Sequence, residues 1–246
     1  MKRIALIPAR LGATRFPRKL LANLAGKTVI RRTFEAVRDT GLFDAVLVVT
    51  DSEEIRAEVE RAHGEARMSL RPHESGTDRI AEVVAGIEAD LVLNVQGDEP
   101  FTRREPLERL LAAFEGPGGR DVGVASLMQE LHDPALVQDP NYVKVAVDEA
   151  GNALFFSRAP IPFVRDPAAN PVFWEHIGVY AFRREALLRF ARLPAGPLER
   201  AEKVECLRFL EHGIRMRMVP TSYMGVEIDT PEDLQRAERL LAGQQS

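Results

Sequence analysis

Short apolar runs alternate with segments of helical spacing along the first half of the chain. Three runs are almost continuously apolar, the pattern of strands covered on both faces: 4–9, 45–50 and 91–95. Segments of helical character lie between them: 28–40, 53–63 and 76–86. This alternation predicts an α/β fold, a mostly parallel sheet with helices on both faces.

The second of these helices carries local signals at both ends. Ser52 stands before Glu53 and Glu54, which is typical of an N-cap followed by an acidic first turn. Gly64 follows the last helical residues, and we predict that it takes the left-handed C′ position.

The second half of the chain is less regular. Five strands are predicted there: 122–128, 143–147, 153–156, 177–182 and 215–219. A turn at 148–152 makes a hairpin of two of them, and helices are predicted at two places: about 198–212 and from Thr230 onward. Residues 157–175 are rich in Pro and Arg, which predicts an irregular excursion. We predict one domain, 1–246, with a smaller subregion inserted at about 140–200.

Composition narrows the function classes. The 246 residues include 33 Lys and Arg against 37 Asp and Glu, a formal net charge of -4. This balance gives no overall attraction to nucleic acid or to an anionic membrane surface, and we predict neither as a partner. No run approaches the about 18 apolar residues that a spanning helix needs. The single cysteine, Cys206, excludes an internal disulfide and a multi-cysteine zinc site, and we predict a cytoplasmic protein.

The loop after the first strand, 8–19, is strongly basic. It carries four cations close together, with the small residues Gly12 and Ala13 among them: Arg10, Arg15, Arg18 and Lys19. Guanidinium groups, an ammonium and accessible backbone N–H groups suit a polyphosphate. The loop matches neither a Walker loop nor a Gly-x-Gly-x-x-Gly fingerprint. The alternative is a solvated basic loop.

Two aspartates are candidate ligands for Mg²⁺, which prefers oxygen ligands and phosphate partners. Asp98 follows the third strand, at the strand end where open parallel sheets bind their ligands. Asp229 stands before Pro231 at a predicted helix start. The alternatives are a cap or turn residue for Asp98 and an N-cap for Asp229.

Three further segments carry weaker signals. Ser75–Arg79 combines a turn, a helix N-terminus and an arginine, which suits an anion or the polar edge of a base. At strand period, His176 and Tyr180 face one way, as on a cleft wall or an ordinary half-exposed strand. Three glutamates recur along one face of the predicted late helix, where such a row is usually solvated: Glu199, Glu202 and Glu205.

The motifs together resemble one family. They occur in this order: Ile7-Pro8-Ala9-Arg10, Thr14-Arg15-Phe16-Pro17, Thr50-Asp51, Ser75-Gly76-Thr77-Asp78-Arg79, Asn94-Val95-Gln96-Gly97-Asp98-Glu99-Pro100, Pro140-Asn141, Val143-Lys144-Val145, Phe156-Ser157-Arg158-Ala159, His176-Ile177-Gly178-Val179-Tyr180 and Asp229-Thr230-Pro231-Glu232-Asp233-Leu234. The chain is similar over essentially its whole length to the 3-deoxy-manno-octulosonate (Kdo) cytidylyltransferases of lipopolysaccharide biosynthesis.

The resemblance implies a reaction and a fold. CTP and Kdo would give CMP-Kdo and pyrophosphate with Mg²⁺ as cofactor. The fold would be a Rossmann-like nucleotidyltransferase domain of the glycosyltransferase-A type, usually a homodimer, in which the inserted subregion serves substrate binding or dimerisation.

The resemblance also implies roles for individual residues. Those implied in catalysis are Arg10, Lys19, Asp98 and Asp229, the two aspartates as metal ligands. Those implied at the nucleotide are Ala9, Arg10, Arg15, Lys19, Ser75, Gly76, Arg79 and Gln96. Those implied at the sugar are Gln96, Arg158, Arg165, His176, Tyr180 and Glu205.

The chain departs from the family pattern at Arg18, where the family commonly has Gly before the lysine. A glycine takes positive φ easily, so the change bears on the path of the loop. Three alternative functions stay open: a cytidylyltransferase for sialic acid or 8-amino-Kdo, a nucleotidyltransferase for a sugar phosphate or polyol phosphate, and a non-catalytic nucleotide-binding module.

Overall fold

The computed structural model describes residues 1–12, 15–73, 75–166, 168–222 and 225–243. The chain forms two compact units, Met1–Glu105 with Gly225–Ser246, and Pro106–Met224. Residues 140–200 all belong to the second unit, and the prediction of one domain with an insertion there stays a prediction. Within the described residues, no helix has the length and apolar character needed to cross a membrane.

The first unit is built around a parallel sheet. Its elements in chain order are β1 (Arg3–Ala9), a 3₁₀ turn (Lys19–Leu21), β2 (Asn23–Leu24), β3 (Lys27–Thr28), α1 (Val29–Asp39), β4 (Ala45–Thr50), α2 (Glu53–Arg61), β5 (Glu65–Met68), α3 (Gly76–Val84), β6 (Leu91–Asn94) and α10 (Pro231–Gly243). The strand order is β6-β1-β4-β5, and each neighbouring pair is parallel. The three predicted strands are confirmed, because the apolar runs of β1, β4 and β6 are buried.

Strand β5 was not predicted. Its sequence, Glu-Ala-Arg-Met, is short and polar, and its side chains are exposed or half-buried at the edge of this unit's sheet. An edge strand pairs through its backbone on one side only, so it needs no continuous apolar run.

The C-terminal end of α2 differs from the prediction. His63, with φ 58°, takes the left-handed position that was predicted for Gly64. A Cβ on Gly64 would lie 2.6 Å from Phe34 and 2.7 Å from Val59, so packing is what requires a glycine there. The predicted Ser52 cap is confirmed, since its side chain accepts from the backbone N–H of Ile55.

The second unit has a mixed sheet. Its elements are α4 (Arg104–Ala112), which spans the boundary between the units, α5 (Gly116–Gly119), β7 (Val124–Leu131), α6 (Pro134–Gln138), β8 (Lys144–Val147), β9 (Ala153–Ser157), β10 (Phe173–Arg183), α7 (Arg184–Phe190), α8 (Pro197–Glu202), α9 (Cys206–Glu211) and β11 (Met216–Pro220). Strand β7 pairs in parallel with β11 and antiparallel with β10, and β8 lies antiparallel to both β10 and β9. The predicted hairpin at 148–152 is confirmed.

The predicted helix at 198–212 is wrong. Lys203, with φ 54°, ends α8, and α9 begins only at Cys206. The glutamate row is therefore not a solvated helix face. Glu199 pairs with the Arg208 guanidinium at 2.5 Å, and Glu202 accepts from the Ser157 hydroxyl at 2.8 Å. The segment therefore forms two short helices and not one continuous helix, and the first two of the three glutamates make tertiary bonds.

A buried polar row crosses the sheet of the second unit. Glu175 on β10 stands opposite Gln129 on β7 and opposite Lys144 on β8, so the three side chains share one face. Neither Gln129 Oε1 nor Glu175 Oε2 has a hydrogen-bond partner among the described residues. Burial, against a lesser effect of the Lys144 charge, raises the pKa of Glu175 to about 7.

Stability of the folded chain is expected to fall as pH rises through about 7. The folded chain keeps the Glu175 proton up to about pH 7, whereas the unfolded chain loses it near the ordinary value of 4.5. This contribution to the free energy of unfolding is complete below the unfolded pKa and is lost by the time the pH exceeds the folded pKa, a total of about 3 kcal/mol. Glu175→Gln, whose amide can donate to Gln129 Oε1, is expected to flatten the profile. Urea unfolding at about pH 5 and about pH 8 measures it; an equal loss of stability in both proteins at the higher pH contradicts the assignment.

Candidate nucleotide and metal site

A cavity of about 360 Å³ lies in the first unit, where β1 and β6 end. Its lining residues come from the loop after β1, the turn after β6, the start of α3 and the segment before α10: Pro8, Ala9, Arg10, Gly12, Arg15, Phe16, Lys19, Leu20, His73, Ser75, Gly76, Arg79, Gln96, Gly97, Asp98 and Asp229. Every residue that the resemblance implies at the nucleotide is among them. The carboxyl ends of parallel strands are where a sheet of this kind binds its ligands.

The N-terminus of α3 is packed tightly against the end of β1. Ser75 caps the helix by accepting from the Asp78 backbone N–H at 3.1 Å. A Cβ at Gly76 would lie 3.0 Å from the Pro8 ring and 3.4 Å from Gln96 Oε1, so only a glycine leaves this approach unhindered. The positive end of the α3 dipole thereby meets the cavity, where it favours an anionic or polar ligand.

Arg79 is a buried cation on the cavity wall. Its side chain donates from Nη2 to Asp51 Oδ2 at 2.8 Å, just past the end of β4. Its Nη1 atom is buried and has no acceptor among the described residues. Leaving such a donor unpaired costs about 1–3 kcal/mol, so this wall of the cavity fits a ligand that presents an acceptor oxygen or nitrogen.

The basic loop divides into cations that face the cavity and one that does not. Arg10, Arg15 and Lys19 line the cavity, whereas Arg18 binds both carboxylate oxygens of Glu54, at 3.1 and 2.5 Å. Arg18 has φ 61°, the positive angle for which a glycine is better suited, and the bond to Glu54 accompanies it. Ala13, the other small residue of the predicted loop, lies outside the described residues.

Lys19 joins the two candidate metal aspartates. Its Nζ atom lies 2.5 Å from Asp98 Oδ2 and 2.6 Å from Asp229 Oδ1. Burial alone would lower the pKa of Lys19, but the charges and hydrogen bonds of the two carboxylates raise it above its usual value. Arg15 Nη1 adds a second contact, 3.2 Å from Asp229 Oδ2.

The backbone brings the two aspartates together. Asp98 lies in a turn closed by a hydrogen bond from Glu99 N to Gln96 O, and its own carbonyl accepts from Ile228 N at 3.0 Å. Asp229 is not the N-cap of α10. That role belongs to Thr230, whose hydroxyl accepts from Asp233 N at 3.2 Å. The Asp229 carboxylate is therefore left to face the cations.

A third carboxylate, Glu227, belongs to the same cluster. Single oxygens of Asp98, Glu227 and Asp229 lie within 4.8 Å of one another. Desolvation and the neighbouring acids, Asp98 first, raise the pKa of Glu227 to about 8. Its position could have been predicted from the sequence, because Glu227 and Asp229 flank the buried Ile228 and so face the same way in an extended segment.

His73 and Asp51 were also not assigned roles from the sequence. His73 lines the cavity, and its Nε2 atom lies 2.7 Å from Glu82 Oε2. Asp51 fixes Arg79, as described above. Both side chains act through partners that are distant in the chain, so no local pattern marks them.

Five of the six predicted sugar residues lie in the second unit. The sixth, Gln96, belongs to the first unit and lines its cavity. The strand period predicted only that His176 and Tyr180 face one way; an irregularity of β10 between Ile177 and Tyr180 accompanies the close approach of their ring centroids, which lie 5.5 Å apart. The Tyr180 hydroxyl lies 3.2 Å from the Cys206 sulfur, next to Glu205. Burial lowers the pKa of His176 to about 4 and raises that of the Cys206 thiol, so the ring is neutral and the thiol protonated at pH 7.

The two predicted sugar arginines are placed differently. Arg158 donates to the backbone carbonyls of Pro140, Glu202 and Lys203, and its own N–H donates to the Glu202 carboxylate. Arg165 is exposed on the irregular stretch before β10, and the described contacts do not join it to the others. The structure thus brings together His176, Tyr180 and Glu205 within this unit.

Comparison with known proteins agrees with this geometry. A family model described as cytidylyltransferase matches residues 4–218. The chain is 52% identical to a 3-deoxy-manno-octulosonate cytidylyltransferase of Flavobacterium johnsoniae, over 98% of this chain and 99% of that one. It is 50% identical to the protein of the same name in Christiangramia forsetii, over 97% and 96%.

Solved structures share the fold. A CMP:2-keto-3-deoxy-manno-octonic acid synthetase complexed with CTP superposes with a TM-score of 0.92 at 37% identity, covering 99% of this chain and all of that one. A 4-diphosphocytidyl-2C-methyl-D-erythritol synthase of Anaerococcus prevotii, 17% identical with a TM-score of 0.63, shares the fold alone. The predicted α/β nucleotidyltransferase fold is confirmed. From sequence identity, coverage and structure together, the chain belongs to the 3-deoxy-manno-octulosonate cytidylyltransferase family.

Proposed function

We propose that the chain transfers CMP from CTP to the anomeric hydroxyl of Kdo, releases pyrophosphate, and so supplies CMP-Kdo for lipopolysaccharide biosynthesis. One observation carries the proposal. A single cavity at the strand ends joins three cations, Arg10, Arg15 and Lys19, to the carboxylates of Asp98 and Asp229. Cations for a triphosphate beside oxygen ligands for a metal are what nucleotidyl transfer requires.

Different walls of the cavity bind different parts of the nucleotide. Arg10, Arg15 and Lys19 hold the triphosphate by charge, and Arg10 and Lys19 offset the charge that gathers on the leaving pyrophosphate. Ala9, Ser75, Gly76 and Gln96 contact the nucleoside from the ends of β1 and β6 and the start of α3. Arg79 offers its unpaired Nη1 donor to an acceptor of the cytidine.

The carboxylate cluster fits Mg²⁺. Asp98 and Asp229 would hold the ion, with Glu227 close enough to join them, and these hard oxygen ligands are the type that Mg²⁺ selects. The Lys19 ammonium already lies between their oxygens, which supports the proposal that the pair holds a cation. When bound, the ion would stabilise the charge that develops at the phosphate and would make the attacking hydroxyl more acidic.

The reaction is an in-line displacement at the α-phosphorus. The anomeric oxygen of Kdo forms the new P–O bond as the bond to pyrophosphate breaks, and no covalent enzyme intermediate is formed. The residues of this chain act by positioning and by charge. Gln96, at the cavity, orients the sugar toward the α-phosphate.

The resemblance implies five further sugar residues, all of which belong to the second unit: Arg158, Arg165, His176, Tyr180 and Glu205. Neutral His176 and the Tyr180 hydroxyl suit hydrogen bonds to sugar hydroxyls. Arg165 is exposed and supplies a cation for the sugar carboxylate. Arg158, held by three backbone carbonyls, fixes the segment that follows β9 and presents the rest of its guanidinium.

Pyrophosphate release tests the function. The assay contains CTP and Mg²⁺ with Kdo, sialic acid or 8-amino-Kdo in parallel, and UTP in place of CTP as the control. Rapid release only with CTP and Kdo is the expected result. Release with another acid sugar overturns the sugar assignment and keeps the nucleotide site. CTP binding without release from any sugar, including phosphorylated ones, overturns the enzymatic proposal.

The enzyme is further proposed to work in the cytoplasm as a homodimer. Support for the dimer comes from apolar side chains exposed in the second unit: Phe163, Val164 and Val172. Phe163 is 86% exposed and Val164 follows it directly, and adjoining exposed apolar side chains are typical of a surface that a partner covers. Light scattering after gel filtration is expected to give the dimer mass for the wild type and the monomer mass for Phe163→Glu; a monomeric wild type contradicts the proposal.

A further inference from the structure

The Lys19 ammonium occupies the position between the two candidate metal ligands. Its Nζ atom makes short ion pairs with one oxygen of each aspartate, and the side chains of Lys19 and Asp98 are only 14% and 15% exposed. An ammonium at this distance neutralises part of the negative charge of both carboxylates and repels a second cation that approaches them, so it weakens the binding of a metal ion there. Lys19 and the ion therefore compete for the charge of the same two carboxylates.

The proposed triphosphate gives the Lys19 ammonium a second set of oxygens to bind. It lines the same cavity as Arg10 and Arg15, the other cations assigned to the triphosphate. Lysine is a compact charge on a flexible stem with rotatable donors, so it can exchange one set of oxygens for another without moving the backbone. Arg15 stands in a similar position, since its Nη1 atom lies 3.2 Å from Asp229.

We propose that Lys19 couples the two ligands of the enzyme, closing the metal site of the nucleotide-free protein and opening it when a triphosphate draws the ammonium away. This rests on the proposed function, since it takes the cavity to be the triphosphate site. The protein then binds the metal weakly alone and tightly with the nucleotide. By linkage, the metal must strengthen nucleotide binding by the same factor.

Metal titration of the nucleotide-free protein is the direct test. Mn²⁺ is titrated calorimetrically into the wild type, Lys19→Met and Lys27→Met. Lys27 pairs with Glu35 at 2.5 Å and does not line the cavity, so its variant matches the change of charge and side chain. Lys19→Met is expected to bind Mn²⁺ at least about tenfold more tightly than the wild type, about 1.4 kcal/mol, and Lys27→Met is expected to match the wild type.

Unchanged or weaker Mn²⁺ binding by Lys19→Met overturns the proposal. Circular dichroism verifies that the variant is folded, and Lys19→Gln, which keeps a polar end, gives a second reading of the same quantity. The double variant Lys19→Met with Asp98→Asn is expected to lose the gain. If neither the wild type nor any variant binds Mn²⁺, with or without CTP, it is the metal assignment itself that fails.

A second readout needs no metal at all. In EDTA, CTP must pull Lys19 from Asp98, so Asp98→Asn is expected to bind CTP more tightly than the wild type. In a Lys19→Met background the same Asp98 change is expected to give a smaller gain, which separates the route through Lys19 from simple loss of a negative charge. Equal gains in both backgrounds contradict the coupling.

Discussion

Replacement of Asp98 by Asn is expected to lower kcat by at least about a hundredfold, roughly 3 kcal/mol of activation free energy. The substitution keeps the size of the side chain and removes the charge that pairs with Lys19 and that the proposed metal ion would bind. The turn that carries residue 98 is held by backbone hydrogen bonds, so the variant is expected to fold normally. Pyrophosphate release at saturating CTP, Kdo and Mg²⁺ measures the effect.

Asp44→Asn is the matched control for this prediction. Asp44 accepts from the Arg3 backbone N–H at 2.7 Å, at the start of β1 and β4 and thus at the other end of the strands from the cavity. Its variant is expected to keep wild-type turnover. Turnover close to normal in Asp98→Asn at saturating Mg²⁺ would contradict the assignment of Asp98 as a metal ligand.

The second large effect is expected at Arg79. Arg79→Lys keeps the positive charge but removes the planar guanidinium that binds Asp51 and lines the cavity. We expect kcat/KM for CTP to fall by about a hundredfold, and the preference for CTP over UTP to fall with it, since a charged hydrogen bond is worth about 1.5–3 kcal/mol. Initial rates with each nucleotide give both quantities.

Arg32→Lys serves as its control. Arg32 also lies in the first unit and donates to the backbone carbonyls of Leu24 and Ala25, but it does not line the cavity. It is expected to leave the CTP to UTP ratio unchanged. A loss of Arg79→Lys activity that is equal for both nucleotides would show that Arg79 does not read the base.

The location of the site could be predicted from the sequence because it depends on local signals. The apolar runs of β1 and β6 mark strands that are buried on both faces, and the polar segments after them must then lie at the strand ends. Asp98 and the basic loop follow from that rule alone. Roles for the individual residues came from the resemblance, and they stay predictions.

The features that the sequence did not predict depend on contacts between distant segments. The break at Lys203 accompanies bonds that Glu202 makes to Ser157 and Arg158, more than 40 positions away. The glycine at 64 is required because a Cβ there would collide with the Phe34 ring on α1. Glu227 joins the carboxylates only because the segment before α10 bonds to the turn after β6. No window of neighbouring residues contains this information.

The substitution at Arg18 illustrates a local rule overridden by such a contact. Its positive φ is a strained angle for any residue with a side chain. The guanidinium nevertheless binds Glu54 at the start of α2, and Lys19 reaches both aspartates. The loop of this chain therefore reaches the carboxylates without the glycine that the family commonly has.

The first unit is folded from two separate stretches of the chain, and this determines when its site is completed during synthesis. Lys19 and Asp229 are 210 positions apart, and the whole second unit is translated between them. A nascent chain that has just completed the second unit holds Lys19 and Asp98 but not yet Asp229. Since synthesis proceeds from the N-terminus, the two candidate metal aspartates come together only after nearly everything else has been made. A chain that is truncated before this last stretch has the strands and the basic loop but lacks Asp229, one of the two proposed metal ligands.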